Sequence, residues 1–137
     1  MKILIDTNVI LDVLGKRESF YSDSLNALQL IYKEHTPCVS TTTITDIIYL
    51  SKKFFPNVEQ QKSYLSDFFS DFKIIPVGKK QILQAFSSPM NDFEDAVQAY
   101  SAKRAGIKLI VTRNTKDFAL SPVTASTPKE FSNRKSS

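Results

Sequence analysis

Apolar residues along this chain fall into two kinds of stretch: short unbroken runs, and longer segments where they recur every three or four positions. The short runs occupy residues 2–6 (KILID), 37–40 (PCVS), 72–77 (FKIIPV) and 108–113 (KLIVTR). A brief continuous run bounded by polar or turn residues is the pattern of a strand buried on both faces. Between the first two runs, Leu25, Leu28, Ile31 and Tyr32 stand at helical spacing, and after the second come Ile44, Ile47, Ile48, Phe54 and Phe55. Helical spacing returns in Leu65, Phe68, Phe69 and Phe72, in Ile82, Leu83 and Phe86, and in Phe93, Ala96, Val97 and Tyr100, with Gly106 placed to stop the last of these. The spacing predicts four strands and about five helices, with one two-helix insertion between the second and third strands. Residues 121–125 (SPVTA) add a short edge strand, and TPKEF adds a final helical turn with Pro128 near its start.

Buried strands alternating with amphipathic helices demand a parallel sheet covered on both faces and joined by right-handed crossovers. The fold class is therefore α/β: a single-domain α/β/α sandwich around a central parallel sheet of four to five strands. It is expected over residues 1–131, leaving SNRKSS at 132–137 as a polar tail that frays.

Composition supports one globular domain, since 137 residues with 42% hydrophobic content supply enough apolar material for a core. Cys38 is the single cysteine, so no internal disulfide forms, and it reads as a packed thiol within a buried strand. The apolar runs fall far short of the ~18 residues needed to cross a bilayer, and the N-terminus has no basic, apolar, cleavable export pattern. A cytoplasmic protein with no membrane role is the expectation. Lys plus Arg number 18 against 14 Asp plus Glu, a net charge of +4 that favours polyanionic partners such as nucleic acid without requiring them. His35, the one histidine, excludes serine–histidine triads and histidine-rich zinc sites and reads as a helix-end residue, while three glycines cannot supply a phosphate-cradling loop.

In an open parallel sheet, ligands bind beyond the carboxyl ends of the strands. The residues that follow the strands here are acidic: Asp6 after the first, Asp46 in the first turn after the second, and Asp117 after the fourth. Asp92 and Asp95 open the helix leading into that fourth strand, on one face by their three-residue offset, with Glu94 pointing elsewhere. Each acid alone reads well as a helix cap, and Thr43 with Asp46 and Asn114 with Asp117 have capping-box spacing. Taken together they form a convergent cluster. Two like charges 4 Å apart repel by ~4 kcal/mol at a surface-like dielectric. Protons or hard divalent ions must offset that repulsion, and Mg²⁺ or Mn²⁺ prefers oxygen ligands while retaining waters. Two such ions about 3.5–4 Å apart suit in-line hydrolysis of a phosphodiester.

The blocks IDTNVILD (5–12), TTTITD ending at Asp46, DFEDAVQAYSAKRAG (92–106) and IVTRNTKDF (110–118), in this order and spacing, resemble the PIN-domain ribonucleases, and among them the VapC-type toxins of bacterial toxin–antitoxin pairs. The resemblance runs from Lys2 to about Phe131. It implies metal-dependent cleavage of RNA, with Asp6, Asp46, Asp95 and Asp117 as a catalytic and metal-binding quartet and Asp92 as a fifth ligand. By the same resemblance Asn8 orients the loop after the first strand without touching metal, and Thr112 and Asn114 contact substrate or bound water. Many relatives carry Glu where Asp46 stands, and relatives differ in whether the position of Asn114 or of Asp117 is acidic. A homodimer and a small antitoxin that blocks the pocket are further implications.

Lys52 and Lys53, Lys103 and Arg104, and Arg113 with Lys116 flank these acids in sequence and are candidate RNA-backbone contacts, Arg113 and Lys116 foremost. The ten phenylalanines mostly follow core periodicity, so stacking on bases is at most a minor role for them. Two other functions fit less well. A non-catalytic PIN-like module binding RNA or protein would be expected to have lost acids that this chain keeps. A phosphatase with an aspartyl nucleophile needs an acid two residues after Asp6, where Asn8 stands.

Overall fold

The computed structural model describes residues 1–136. Five strands run β1 (Lys2–Ile5), β2 (Thr36–Ser40), β3 (Lys73–Ile75), β4 (Leu109–Val111) and β5 (Thr124–Ser126). They form one sheet in the order β3-β2-β1-β4-β5, and every pairing is parallel. Seven α-helices accompany them: α1 (Thr7–Leu14), α2 (Tyr21–Glu34), α3 (Thr41–Leu50), α4 (Val58–Phe68), α5 (Lys79–Phe86), α6 (Phe93–Arg104) and α7 (Pro128–Ser136). Short 3-10 turns cover Lys52–Phe54 and Thr115–Phe118.

The expected sandwich forms, with two differences. Helix α1 is additional to the sequence reading. Every long crossover also carries a helix pair: α1 and α2 link β1 to β2, α3 and α4 link β2 to β3, and α5 and α6 link β3 to β4. Two helices per crossover is therefore the rule in this chain, not an insertion at one place. Helix α7 runs to Ser136, through most of the segment expected to fray, and Ser137 lies outside the described residues.

Alternation along the strands divides the core. Ile3, Ile5, Val39, Leu109 and Val111 face one side, with Val9, Ile10, Leu28, Ile31, Ile47 and Phe131 of the covering helices. Leu4, Cys38 and Ile110 face the other, against Ala96, Val97, Ala99 and Ala102 of α6. The alanine-rich face of α6 presents little side-chain bulk to the sheet. Cys38 is a packed thiol, as read, and burial first of all pushes its pKa up. Gly106 follows α6 at φ +75°, a left-handed conformation that favours glycine, and ends the helix as expected. His35 caps the C-terminus of α2.

From β1 the chain turns to β2 on one side, while β4 joins β1 on the other. The connections leave the sheet in opposite directions here, which opens a crevice at the carboxyl ends of β1 and β4.

Candidate functional site

Asp6 stands at that crevice. It ends β1 and is also the N-cap of α1, its Oδ1 accepting the Thr7 N–H at 2.8 Å. Its cap role and its place in the acidic site are thus one and the same. The side chain is buried, and each carboxylate oxygen has a second donor from far along the chain. Gln98 Nε2 donates to Oδ1 at 2.8 Å, and Oδ2 accepts from Asn8 Nδ2 at 3.1 Å and from Thr112 Oγ1 at 2.7 Å. Four donors on one carboxylate fix its plane and offset its desolvation.

The donors are themselves held. Gln98, on the buried face of α6, accepts from Thr43 Oγ1 at 3.1 Å, and Thr43 is tied to the Ser40 cap of α3. Asn8 Oδ1 accepts the Arg113 N–H at 3.3 Å, which links the β1–α1 turn to the end of β4. Asn8 is therefore the orienting residue that was expected. Thr112 is fully buried, donates to Asp6 and accepts from the Asn114 N–H at 3.1 Å, and it does not line the cavity that Asp6 borders. Gln98 had no part in the sequence reading, and Thr43 entered it only as a capping partner of Asp46. The available signal was Gln98 itself, a polar residue three positions after Asp95 on the apolar face of its helix.

Asp6 lines a cavity of about 300 Å³ together with Asn8, Asp92, Glu94, Asp95 and Asn114. Asp92 is the N-cap of α6, its Oδ1 accepting the Asp95 N–H at 2.9 Å. Glu94 does not point elsewhere. It borders the cavity and its carboxyl hydrogen-bonds that of Asp46. Asp46 therefore joins the cluster through Glu94, not as a cavity-lining residue. No capping box forms between Thr43 and Asp46, because α3 starts at Ser40 and Asp46 lies in its second turn. Asp117 is exposed on the 3-10 turn, and Asn114, which caps that turn without a side-chain bond, lines the cavity in its place.

The acids crowd one another. The bond to Asp46, then partial burial, then the charges of Asp46, Asp92 and Asp6 push Glu94 up to about 7. Burial, then the charges of Asp6, Asp92 and Asp117, push Asp95 up to about 7. Asp117 thus acts on the site electrostatically. Among the described residues, no three Asp, Glu, His or Cys side chains are already drawn to metal-cage spacing. The donor set nevertheless fits a hard divalent ion: it is all carboxylate oxygen, and two members retain protons near neutrality that a cation would displace.

These raised values give stability a sign. Unfolded, both groups release their protons near pH 4, whereas folded they hold them to about pH 7. The native state binds more protons across that window, so its stability falls as pH climbs through it. Metal-free protein is expected to melt at a lower temperature at about pH 8 than at about pH 5.5, and saturating Mg²⁺ or Mn²⁺ is expected to close the gap. A scan of melting temperature against pH with and without metal checks this; a flat metal-free profile contradicts it.

The basic candidates separate. Lys103 and Arg104 end α6, about 12 Å along the helix from Asp95, and are not at the site. Arg113, foremost among the expected RNA contacts, lies over the Phe20 ring at 3.9 Å and bonds buried Asp12 through Nε at 2.8 Å. It is a packing residue. Lys116 stays exposed beside Asp117, and Lys52 and Lys53 follow Leu50 at the cavity rim.

The all-parallel sheet with acids at its switch point is the setting of a PIN domain, and the PIN domain family matches residues 2–116: the chain belongs to that family. It is 28% identical over 139 residues to Ribonuclease VapC1 of Aquifex aeolicus (strain VF5), covering 97% of this chain and 94% of that protein. Among solved structures it is similar to a toxin–antitoxin complex from Klebsiella pneumoniae, at 25% identity and TM-score 0.71 over 93% of this chain and 98% of that one. It also shares its fold with a chain of VapBC2 from Rickettsia felis bound to a promoter DNA fragment, at TM-score 0.72 and 21% identity over 93% and 98% of the two chains.

Proposed function

We propose that this chain is a divalent-metal-dependent endoribonuclease, the toxin of a VapBC-type toxin–antitoxin pair. The observation that carries the reading is the buried Asp6 carboxylate, locked by four donors at the mouth of a cavity that Asp92, Glu94 and Asp95 also line. Proteins do not assemble like charges this way for stability alone. Asp6, Asp92 and Asp95 would hold the ions, with Asp46 acting beside Glu94 and Asp117 from the exposed turn. Bound Mg²⁺ or Mn²⁺ supplies charge neutralisation at the phosphate and activation of the attacking water. The chain's own contribution is orientation. Gln98 and Thr112 keep both Asp6 oxygens fixed, Asn8 ties the loops on either side of the crevice together, and Leu11 and Leu50 form apolar parts of its wall.

The same hydrogen bonds count against an aspartyl phosphatase. Asn8 stands where that mechanism needs a general acid and spends both ends of its amide on Asp6 and Arg113. Similarity to toxins held in complexes supports a small antitoxin as partner, and self-association is part of the proposal; copurification with the product of a neighbouring open reading frame tests the former.

Purified protein is expected to cut RNA with Mg²⁺ or Mn²⁺ and to stop in excess EDTA. Cleavage that persists in chelator overturns metal dependence. Absence of any cleavage with either ion leaves the non-catalytic binding module as the correct reading.

A further inference from the structure

Every cavity-lining residue named so far is acidic, polar and uncharged, or apolar, with one exception. Arg17 lies on the same wall. Four carboxylates border that cavity, yet among the described residues Arg17 pairs with none of them. Its ion pair is with Asp12, Nη1 to Oδ1 at 3.5 Å, and Asp12 is fully buried beneath it.

Its backbone is held by hydrogen bonds on both sides. Lys16 takes a left-handed turn at φ 48° after α1, which lets the Arg17 N–H reach back to the Asp12 carbonyl at 3.0 Å. The Arg17 carbonyl then accepts from the N–H groups of Phe20 and Tyr21 at 3.0 and 2.7 Å. Asp12 is in turn held by Ser24 Oγ at 2.9 Å and Arg113 Nε at 2.8 Å. The result is a guanidinium in a 3.5 Å ion pair with Asp12 and without a side-chain hydrogen bond to it, 37% exposed, with its donors left at the border of an acidic cavity. A planar fork of this kind suits a phosphate better than it suits carboxylates that a divalent ion would claim.

We propose that Arg17 grips a non-bridging oxygen of the RNA phosphate at the site and that Asp12 presents it. This rests on the ribonuclease reading above. Bound divalent ions would neutralise the acids, and Arg17 supplies the one positive side chain of the cavity wall that can hold the substrate's own charge. It binds substrate directly; Asp12 is a positioning residue.

The test compares wild type, Arg17→Gln and Arg17→Lys, with Lys108→Gln as a control at the opposite end of the sheet. Binding of a short, mixed-sequence 2′-O-methyl oligoribonucleotide in Ca²⁺ is read by fluorescence anisotropy, and cleavage of the matching RNA in Mg²⁺ is read as kcat/KM. Arg17→Gln is expected to lower kcat/KM roughly 10- to 100-fold, the worth of a lost charge-assisted hydrogen bond. It should also reduce the salt slope of oligonucleotide binding by about 0.7, the loss of one contact on a single strand. Mn²⁺ affinity, read by titration calorimetry, should stay level or tighten, because a positive charge has left an acidic site. Arg17→Lys keeps the charge without the fork and should fall between, and Lys108→Gln should match wild type. If wild type cuts RNA and Arg17→Gln cuts and binds equally well, the Arg17 assignment is overturned and the nuclease reading stands. A parallel loss of Mn²⁺ affinity in Arg17→Gln would make its effect structural and overturns it too. If wild type neither cuts nor binds, both fall together.

Discussion

Asp95→Asn is expected to reduce RNA cleavage by at least about 10²-fold while leaving the protein as stable as before, or more so, at neutral pH without metal. Loss of function with gain of stability is the stability–activity trade-off of a strained site, and here it follows from the site's electrostatics. The Asp95 carboxyl is held up near 7 by burial and by the charges of Asp6, Asp92 and Asp117. An amide of the same shape removes one member of a mutually repelling set. The backbone N–H of residue 95, which the Asp92 cap requires, is untouched by the exchange. Neighbouring Gln98 and Asp6 keep their bond. The measurements are a cleavage assay in Mg²⁺ and melting at about pH 8 in EDTA, where the repulsion is largest. A variant that cuts RNA at the wild-type rate would remove Asp95 from the machinery. A variant that melts markedly lower would show that the carboxylate serves stability instead.

The strands were legible because a parallel sheet buried on both faces leaves uninterrupted apolar runs, and even the short edge strand β5 lay within a few residues of its expected place. Helix α1 was not legible for a related reason. Val9, Ile10, Leu11 and Asp12 are all buried in succession, and the helix is only 8 residues long, too few turns for a period to stand out against the apolar run of β1 before it. Asp6 also serves as strand end and helix cap, which leaves no loop residue to mark the boundary.

The acidic site was legible in outline, since residues after parallel strands face the same edge of the sheet. Its details depended on geometry that spacing does not carry. Asp92 precedes α6 as its cap, so the three-residue face rule does not govern the first turn, and Glu94 reaches the cavity and Asp46 from there. Glu94 on α6 lines the cavity and meets Asp46 of α3, which does not line it. Charge next to acid in sequence did not indicate which cation lines the cavity. Arg113 turns inward to Asp12, while Arg17, distant from the other acidic blocks, lines the cavity.

Asp12 should be the residue whose loss costs the fold most. It is fully buried, accepts from Ser24 Oγ and Arg113 Nε, and pairs with Arg17. The arrangement joins α1, α2 and the end of β4 through one side chain. Truncation to alanine would strand two guanidinium groups, and that of Arg113, 23% exposed and stacked on Phe20, cannot readily turn to water. Breaking a buried pair from one side typically costs about 3–5 kcal/mol, because the partner's charge stays desolvated. For a chain of this length that is a fall in melting temperature of roughly 10 °C or more. Chemical denaturation of Asp12→Ala, Arg113→Ala and the double variant measures it. The double variant should lose clearly less than the sum of the singles, since removing both partners leaves no orphaned charge between them. A loss under about 1 kcal/mol for Asp12→Ala would place this pair among surface contacts of little consequence. The expected loss would instead make it the internal brace on which the Asn8 loop, the Arg113 backbone and the Arg17 guanidinium all depend for their positions around Asp6.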